Sequence, residues 1–250
     1  MISKQQVKFI KSLQFKKYRN KYSSFLVEGV KSVLELLHST YEVDLLVCTQ
    51  KFFDQYSALL STKNVRPIIE KENTLELLGS YQSNDYVLAV AKMKDQNAPD
   101  VLQDELVLAL DQVRDPGNLG TIIRTADWYG IKTILANEGT ADVFNPKVIS
   151  ATMGSFTRVT VYYVELSKYL KDQNHTVYGA FIDGRNIYEI NIEKPAVILL
   201  GNESQGITAE LKTCVHQSIS IPKFGGAESL NVAISAGILC DHLRRPFFSA

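Results

Sequence analysis

The sequence predicts an α/β protein built as two α/β halves, and three observations predict it. Short apolar runs alternate with stretches of helical period along most of the chain, the pattern of strands joined by crossover helices. A polar, proline-bearing segment, MKDQNAPDVLQD from Met93 to Asp104, interrupts that alternation as a linker would. A chain of 250 residues that is 45% hydrophobic can bury one good core or two modest ones, which argues against disorder. One domain is therefore expected over 1–95 and a second over 104–250.

The elements follow in order. Ser3 and Gln6 have the spacing of a capping box, after which Val7, Ile10, Leu13 and Gln14 share one side of a helix and Lys4, Lys8 and Lys11 another. KKYRNK, from Lys16, reads as a loop with an aromatic between cations. SFLVEG, VDLLVCT, VRPII and YVLAVAKM are strands of the first half; VKSVLELLHS, FFDQYSALL and ENTLELLGS are the helices between them. In the second half the strands are ELVLALD, IKTILA, TRVTVYYV, TVYGAFID, AVILLGN and SISIP. Helices are expected after Asn118, near 146–151, near 165–171, and from about Ser229 to Leu243, the last ending before Pro246. No internal repeat or low-complexity tract occurs.

Composition excludes several classes. No apolar run approaches the ~18 residues that span a bilayer, and MISKQQVKFIKS lacks the apolar core of a secretion signal, so a cytoplasmic protein is expected. Cys48, Cys214 and Cys240 are scattered and odd in number, which suits a reducing compartment. The triplets Cys214/His216 and Cys240/His242 match no common zinc pattern, and ordinary packing is expected rather than a metal site. The formal net charge is zero, yet before Glu28 there are only cations: Lys4, Lys8, Lys11, Lys16, Lys17, Arg19 and Lys21. Such a patch either neutralises nucleic-acid phosphates or is a solvated face.

In open α/β sheets, ligands bind in the loops that leave the carboxyl ends of strands. Three such loops are rich in glycine and polar residues: DQVRDPGNLG, GNESQGI and PKFGGAESLN. In the first, Asn118 is placed as the N-cap, with Pro116 and Gly117 making the turn before it. Arg124 follows on the face of Gly120 and Trp128, and needs an acceptor: a carboxylate such as Asp127 or Glu203, or an external phosphate. Glu203 directly follows an apolar strand and must hold backbone donors, an arginine or a ligand. Ser229 and Asn231 either cap the last helix or, with the amides of Gly225 and Gly226, face a ligand. No G-x-x-x-x-G-K-[ST], strand-borne G-x-G-x-x-G or G-x-S-x-G is present, which argues against NTP hydrolysis, dinucleotide binding and a nucleophile elbow.

In order and spacing these loops resemble the SpoU–TrmH family of RNA ribose 2′-O-methyltransferases, within the SPOUT superfamily. NLGTIIRTA resembles the first motif, LLGNESQGI the second and ISIPKFGGAESLNVAISAG the third, with SATMGSFTRV between them. The resemblance covers roughly 105–245, while FLVEGVKSVLELL is similar to the small RNA-binding domain of ribosomal RNA members. It implies S-adenosylmethionine as donor, no metal, a mostly parallel sheet with a C-terminal trefoil knot, and a homodimer through the C-terminal domain. By position, the donor is expected against Leu200, Gly201, Gly206, Ile221, Pro222 and Leu230. Asn118, Arg124, Glu203, Ser229 and Asn231 are the expected reaction centre, and Lys16, Lys17, Arg19, Lys21 and Arg114 the expected RNA contacts. The implied substrate is ribosomal RNA; transfer RNA, or a non-catalytic RNA-binding role, are the alternatives.

Overall fold

Local chemistry sets the start of the chain in a computed structural model that describes residues 1–79, 86–202 and 204–244. Ser3 Oγ accepts the amide of Gln6 at 3.2 Å and Gln6 Oε1 accepts the amide of Ser3 at 2.9 Å, so the capping box opens α1 (Lys4–Ser12). Ile10 from this helix and Leu13, its C-cap, are buried with Leu26, Val47, Leu75 and Leu88. The segment read as a loop is a second helix, α2 (Lys16–Tyr22), closed by Ser23 at φ 46°. Its misreading has a cause: Arg19 is buried, and its Nη1 donates to the carbonyls of Leu13 and Gln14, both at 2.9 Å. A cation carried inward by carbonyl acceptors puts a charge at the one buried position of a short helix, where an apolar residue would have signalled it.

The chain packs as two units, Met1–Asp95 with Asp142–Thr157, and Gln96–Ala141 with Arg158–Ala250. In the first, β1 (Ser24–Glu28), α3 (Val30–His38), β2 (Val43–Cys48), α4 (Gln50–Thr62), β3 (Ile68–Ile69), α5 (Glu72–Leu78) and β4 (Val87–Lys92) follow in order. The sheet runs β1-β4-β2-β3, with β4 antiparallel to both neighbours and β2 parallel to β3. The excursion 142–157 adds α7 (Pro146–Thr152) and a 3₁₀ turn, which pack on β1 and α3 and bring Phe144 and Phe156 against Phe25.

The second unit is built on β5 (Leu106–Leu110), α6 (Pro116–Trp128), β6 (Thr133–Ala136), β7 (Thr160–Tyr163), α8 (Leu166–Lys171), β8 (Thr176–Asn186), β9 (Ala196–Leu200), α9 (Ala209–Lys212), β10 (Gln217–Ser220) and α10 (Val232–Arg244). Its sheet order is β10-β8-β9-β5-β6-β7, and each of these pairings is parallel. The central strands LVLAL and AVILL are buried throughout, as strands covered on both faces must be. Parallel strands end on the same edge, so Leu110 lies beside Leu200 and the loops that follow them meet. The predicted last helix is present from Val232; its expected stop at Pro246 lies outside the described residues. Among the described residues, no helix is long and apolar enough to cross a membrane.

Candidate active site at the carboxyl edge of the parallel sheet

The segments that follow β5, β6 and β9 are tied together by one carboxylate that did not stand out in the sequence. Asp111, the first residue after β5, is fully buried. Its Oδ1 accepts Asn137 Nδ2 and its Oδ2 accepts the Thr208 amide, both at 2.7 Å, linking the ends of β5, β6 and β9. Asn137 Oδ1 in turn accepts the amide of Gln112 at 2.9 Å, and Asn202 Nδ2 donates to the carbonyl of Gln112 at 2.8 Å. A buried carboxylate is tolerable only when hydrogen-bonded, and the one signal of it in the sequence is a lone aspartate ending an apolar strand.

The first loop enters α6 through Asp115, whose side chain accepts the amide of Asn118 at 2.8 Å. Asp115 is therefore the N-cap, and the expectation of Asn118 in that role is corrected. Pro116 is the reason: proline is favoured at the first helical position, so the cap is the residue before it. Asn118, freed from capping, accepts Asn231 Nδ2 on its Oδ1 at 3.0 Å. Asn231 Oδ1 accepts the amides of Ala233 and Ile234 at 2.9 and 3.3 Å and so caps α10. Ser229 lies two residues before that cap, outside the helix. Of the two roles the sequence left open, Asn231 takes that of cap, and its side-chain amide nitrogen makes a contact to the first motif that the sequence did not suggest.

Arg124 is exposed on α6 and, among the described residues, makes no ion pair or hydrogen bond. The expected acceptor Asp127 is taken by Arg158, whose Nε lies 3.0 Å from both carboxylate oxygens and whose Nη2 lies 2.8 Å from Oδ2. Glu203, the other expected acceptor, lies outside the described residues.

The second loop folds back on itself. Asn202 and Gly206 exchange backbone hydrogen bonds of 3.1 and 2.9 Å, and Asn202 Oδ1 accepts the amides of Ser204 and Gln205. Gly206 sits at φ +67°, and a Cβ on Gly201 would lie 2.2 Å from the carbonyl carbon of Gly206. Only glycine fits at Gly201. Beside this turn lies a cleft of about 830 Å³. Leu200, Gly201, Gly206, Ile221, Pro222, Leu230 and Ser229 all line it, with Lys223, Phe224 and Glu228 from the third loop. A volume of that order suits a ligand of cofactor size.

The structure therefore brings the predicted donor-binding residues together around one cleft, puts Ser229 in its wall, and joins Asn231 to Asn118. Arg124 forms no hydrogen bond with that pair. Among the expected RNA contacts, Lys16, Lys17 and Lys21 are exposed in the first unit and Arg114 in the second. Arg19 is not: beyond its two carbonyl bonds it pairs with Asp142 at 2.6 Å, so its guanidinium is a structural group and its place among the phosphate contacts is corrected. The described residues contain no group of three or more metal-ligating side chains. Cys214 Sγ donates to the Ser167 carbonyl and His216 Nδ1 accepts the Val177 amide, so that C-x-H triplet serves packing.

An all-parallel α/β unit with a cofactor-sized cleft at its carboxyl edge defines a ligand-binding domain of the doubly covered class. The profile of the SpoU rRNA Methylase family matches residues 105–241 of it, and that of the MRM3-like substrate binding domain matches 4–89. The chain belongs to the SpoU rRNA methylase family. It is 34% identical to the 23S rRNA (guanosine(2553)-2′-O)-methyltransferase RlmP of Bacillus subtilis, over 96% of each chain. A shorter relative, the tRNA (guanosine(18)-2′-O)-methyltransferase of Thermus thermophilus, is 31% identical over 57% of this chain and 76% of its own length. Among solved structures, an AdoMet-bound rRNA methyltransferase from Sinorhizobium meliloti superposes with a TM-score of 0.88 at 30% identity, covering 100% of this chain and 97% of that one.

Proposed function

We propose that this protein transfers a methyl group from S-adenosylmethionine to a ribose 2′-hydroxyl of structured RNA, in the first instance ribosomal RNA. The observation that carries the reading is the convergence of all three motif loops at the carboxyl edge, two of them lining the cleft and the first tied to them through Asn118 and Asp111. The Bacillus and Sinorhizobium relatives, an rRNA 2′-O-methyltransferase and an AdoMet-bound rRNA methyltransferase, support the reaction and the donor. The Thermus relative keeps transfer RNA as the second reading, although it matches only part of this chain.

The donor supplies an electrophilic methyl on a positively charged sulfur. Leu200, Ile221, Pro222 and Leu230 offer it apolar walls, and the missing Cβ of Gly201 lets the second loop close up to the cleft. For transfer, the ribose oxygen forms the new C–O bond as the C–S bond breaks, and the hydroxyl proton leaves to solvent or a base. Arg124 is unsuited to be that base, because a guanidinium is a donor with no lone pair to take up a proton. Its exposure and its lack of a partner among the described residues suit a different role, that of holding the phosphate beside the target ribose and favouring the alkoxide by its charge. Asn118 and Asn231, locked by their mutual hydrogen bond, hold the first and third motifs in register, while Ser229 and Glu203 orient the nucleophile.

Lys16, Lys17, Lys21 and Arg114 are proposed as phosphate contacts. A homodimer through the C-terminal domain is proposed as well, supported by the packing of α6 on α10 and by Trp128 and Ile234 on those helices, 85% and 54% exposed. The trefoil knot and a cytoplasmic location go with the same reading. Calorimetry with S-adenosylmethionine tests it first: one site per chain is expected, and no heat of binding at millimolar donor would overturn it.

A further inference from the structure

We infer that Phe15, Tyr18 and Tyr22 form a stacking platform for unpaired bases, so that the N-terminal unit takes a single-stranded segment of the RNA rather than a duplex. The inference rests on the RNA reading above and narrows it. Phe15 precedes α2 in extended conformation, and a phenyl ring 63% exposed there contributes little to the core. Phe15, Tyr18 and Tyr22 are spaced i, i+3 and i+7, one stripe along the short helix. The rings of Tyr18 and Tyr22 are near parallel, 6.3 Å apart at 14°, and Phe9 meets Tyr22 edge-on at 5.1 Å. Tyr22 is itself 38% exposed. Arg19 points inward and lies four residues after Phe15 and three before Tyr22, so the stripe borders the buried side of α2, with Phe15 and Tyr22 as its exposed members.

Lysines flank this stripe. Lys16, Lys17 and Lys21 are exposed and, among the described residues, none forms an ion pair; Lys21 Nζ lies 5.4 Å from the Tyr22 ring centre. No acidic residue precedes Glu28 in the chain. Aromatic faces between unneutralised cations are what a sugar-phosphate strand with splayed bases requires. A duplex would use the lysines and leave the rings without a partner, because its bases are already stacked.

The test is equilibrium binding of the full chain to two labelled probes of equal length, a single-stranded oligouridylate and a blunt RNA duplex. Replacing Phe15 by Ala is expected to weaken the single strand about tenfold and leave the duplex within about twofold, with Phe15→Trp restoring the single-strand affinity. Lys16→Gln/Lys17→Gln should weaken both probes and flatten the salt dependence, whereas Phe15→Ala should leave the slope unchanged. Equal effects of Phe15→Ala on the two probes, or none, would overturn the platform while the methyl-transfer reading stands. Wild-type protein that binds neither probe would also overturn the platform, and donor calorimetry then decides the methyl-transfer reading separately.

Discussion

Arg124 and Asp111 show how differently two charged residues serve one site. Arg124 is exposed and meets no acceptor among the described residues, so its charge is available to a ligand. Replacing it by Ala should lower turnover by a factor of about 100 to 1,000 while donor affinity is unchanged, the signature of a group that acts on developing charge. Lysine keeps the charge without the planar fork; turnover should recover only in part, and wild-type turnover with an unaltered pH profile would count against a guanidinium-specific role. Asp111 never meets solvent and works through Asn137 and the Thr208 amide. Asp111→Ala strands both donors and should cost about 3 kcal/mol of stability, read as a lowered urea midpoint. Both residues stand in the same stretch of sequence, but only Arg124 draws a functional reading there, because its need for an anion is visible in one dimension and the donors of Asp111 are far off along the chain.

At the scale of elements, the turn 201–206 carries the site's sharpest steric demand. A methyl at Gly201 meets backbone atoms at 2.2 and 2.3 Å that cannot move independently, whereas one at Gly225 meets nothing within 4 Å. Gly201→Ala is therefore expected to abolish donor binding by calorimetry, and Gly225→Ala to keep it within a few-fold. Most strands and helices are legible in the sequence because their apolar period is strong, as in AVILL or VKSVLELLHS. The failures are local and physical. α2 reads as a loop since its inward residue is an arginine, and the start of α6 is misplaced since Asp115 and Asn118 are both competent caps, with only Pro116 to separate them. The last helix begins after Asn231 and not at Ser229 for a similar reason: either polar residue is able to cap, and the hydrogen bonds choose Asn231.

At the scale of the molecule, an all-parallel sheet gathers loops from distant parts of the sequence onto one edge, which is why the three polar loops can be assigned to one site before any contact is known. What periodicity does not encode is how the chain threads or what covers an exposed face. Trp128 and Ile234 are exposed on α6 and α10, and the proposed dimer is tested there: if it forms, Trp128→Asp combined with Ile234→Asp is expected to leave a folded monomer by light scattering, with unchanged far-ultraviolet dichroism and much reduced turnover. The claim on which all of this depends is the reaction itself. Incubation with methyl-labelled S-adenosylmethionine and separated RNA fractions from an unmodified strain should place label on one fraction, at a linkage resistant to alkali, because a methylated 2′-oxygen can no longer attack its phosphate. Label on DNA as well as RNA, label at an alkali-sensitive position, or no label at all would contradict it.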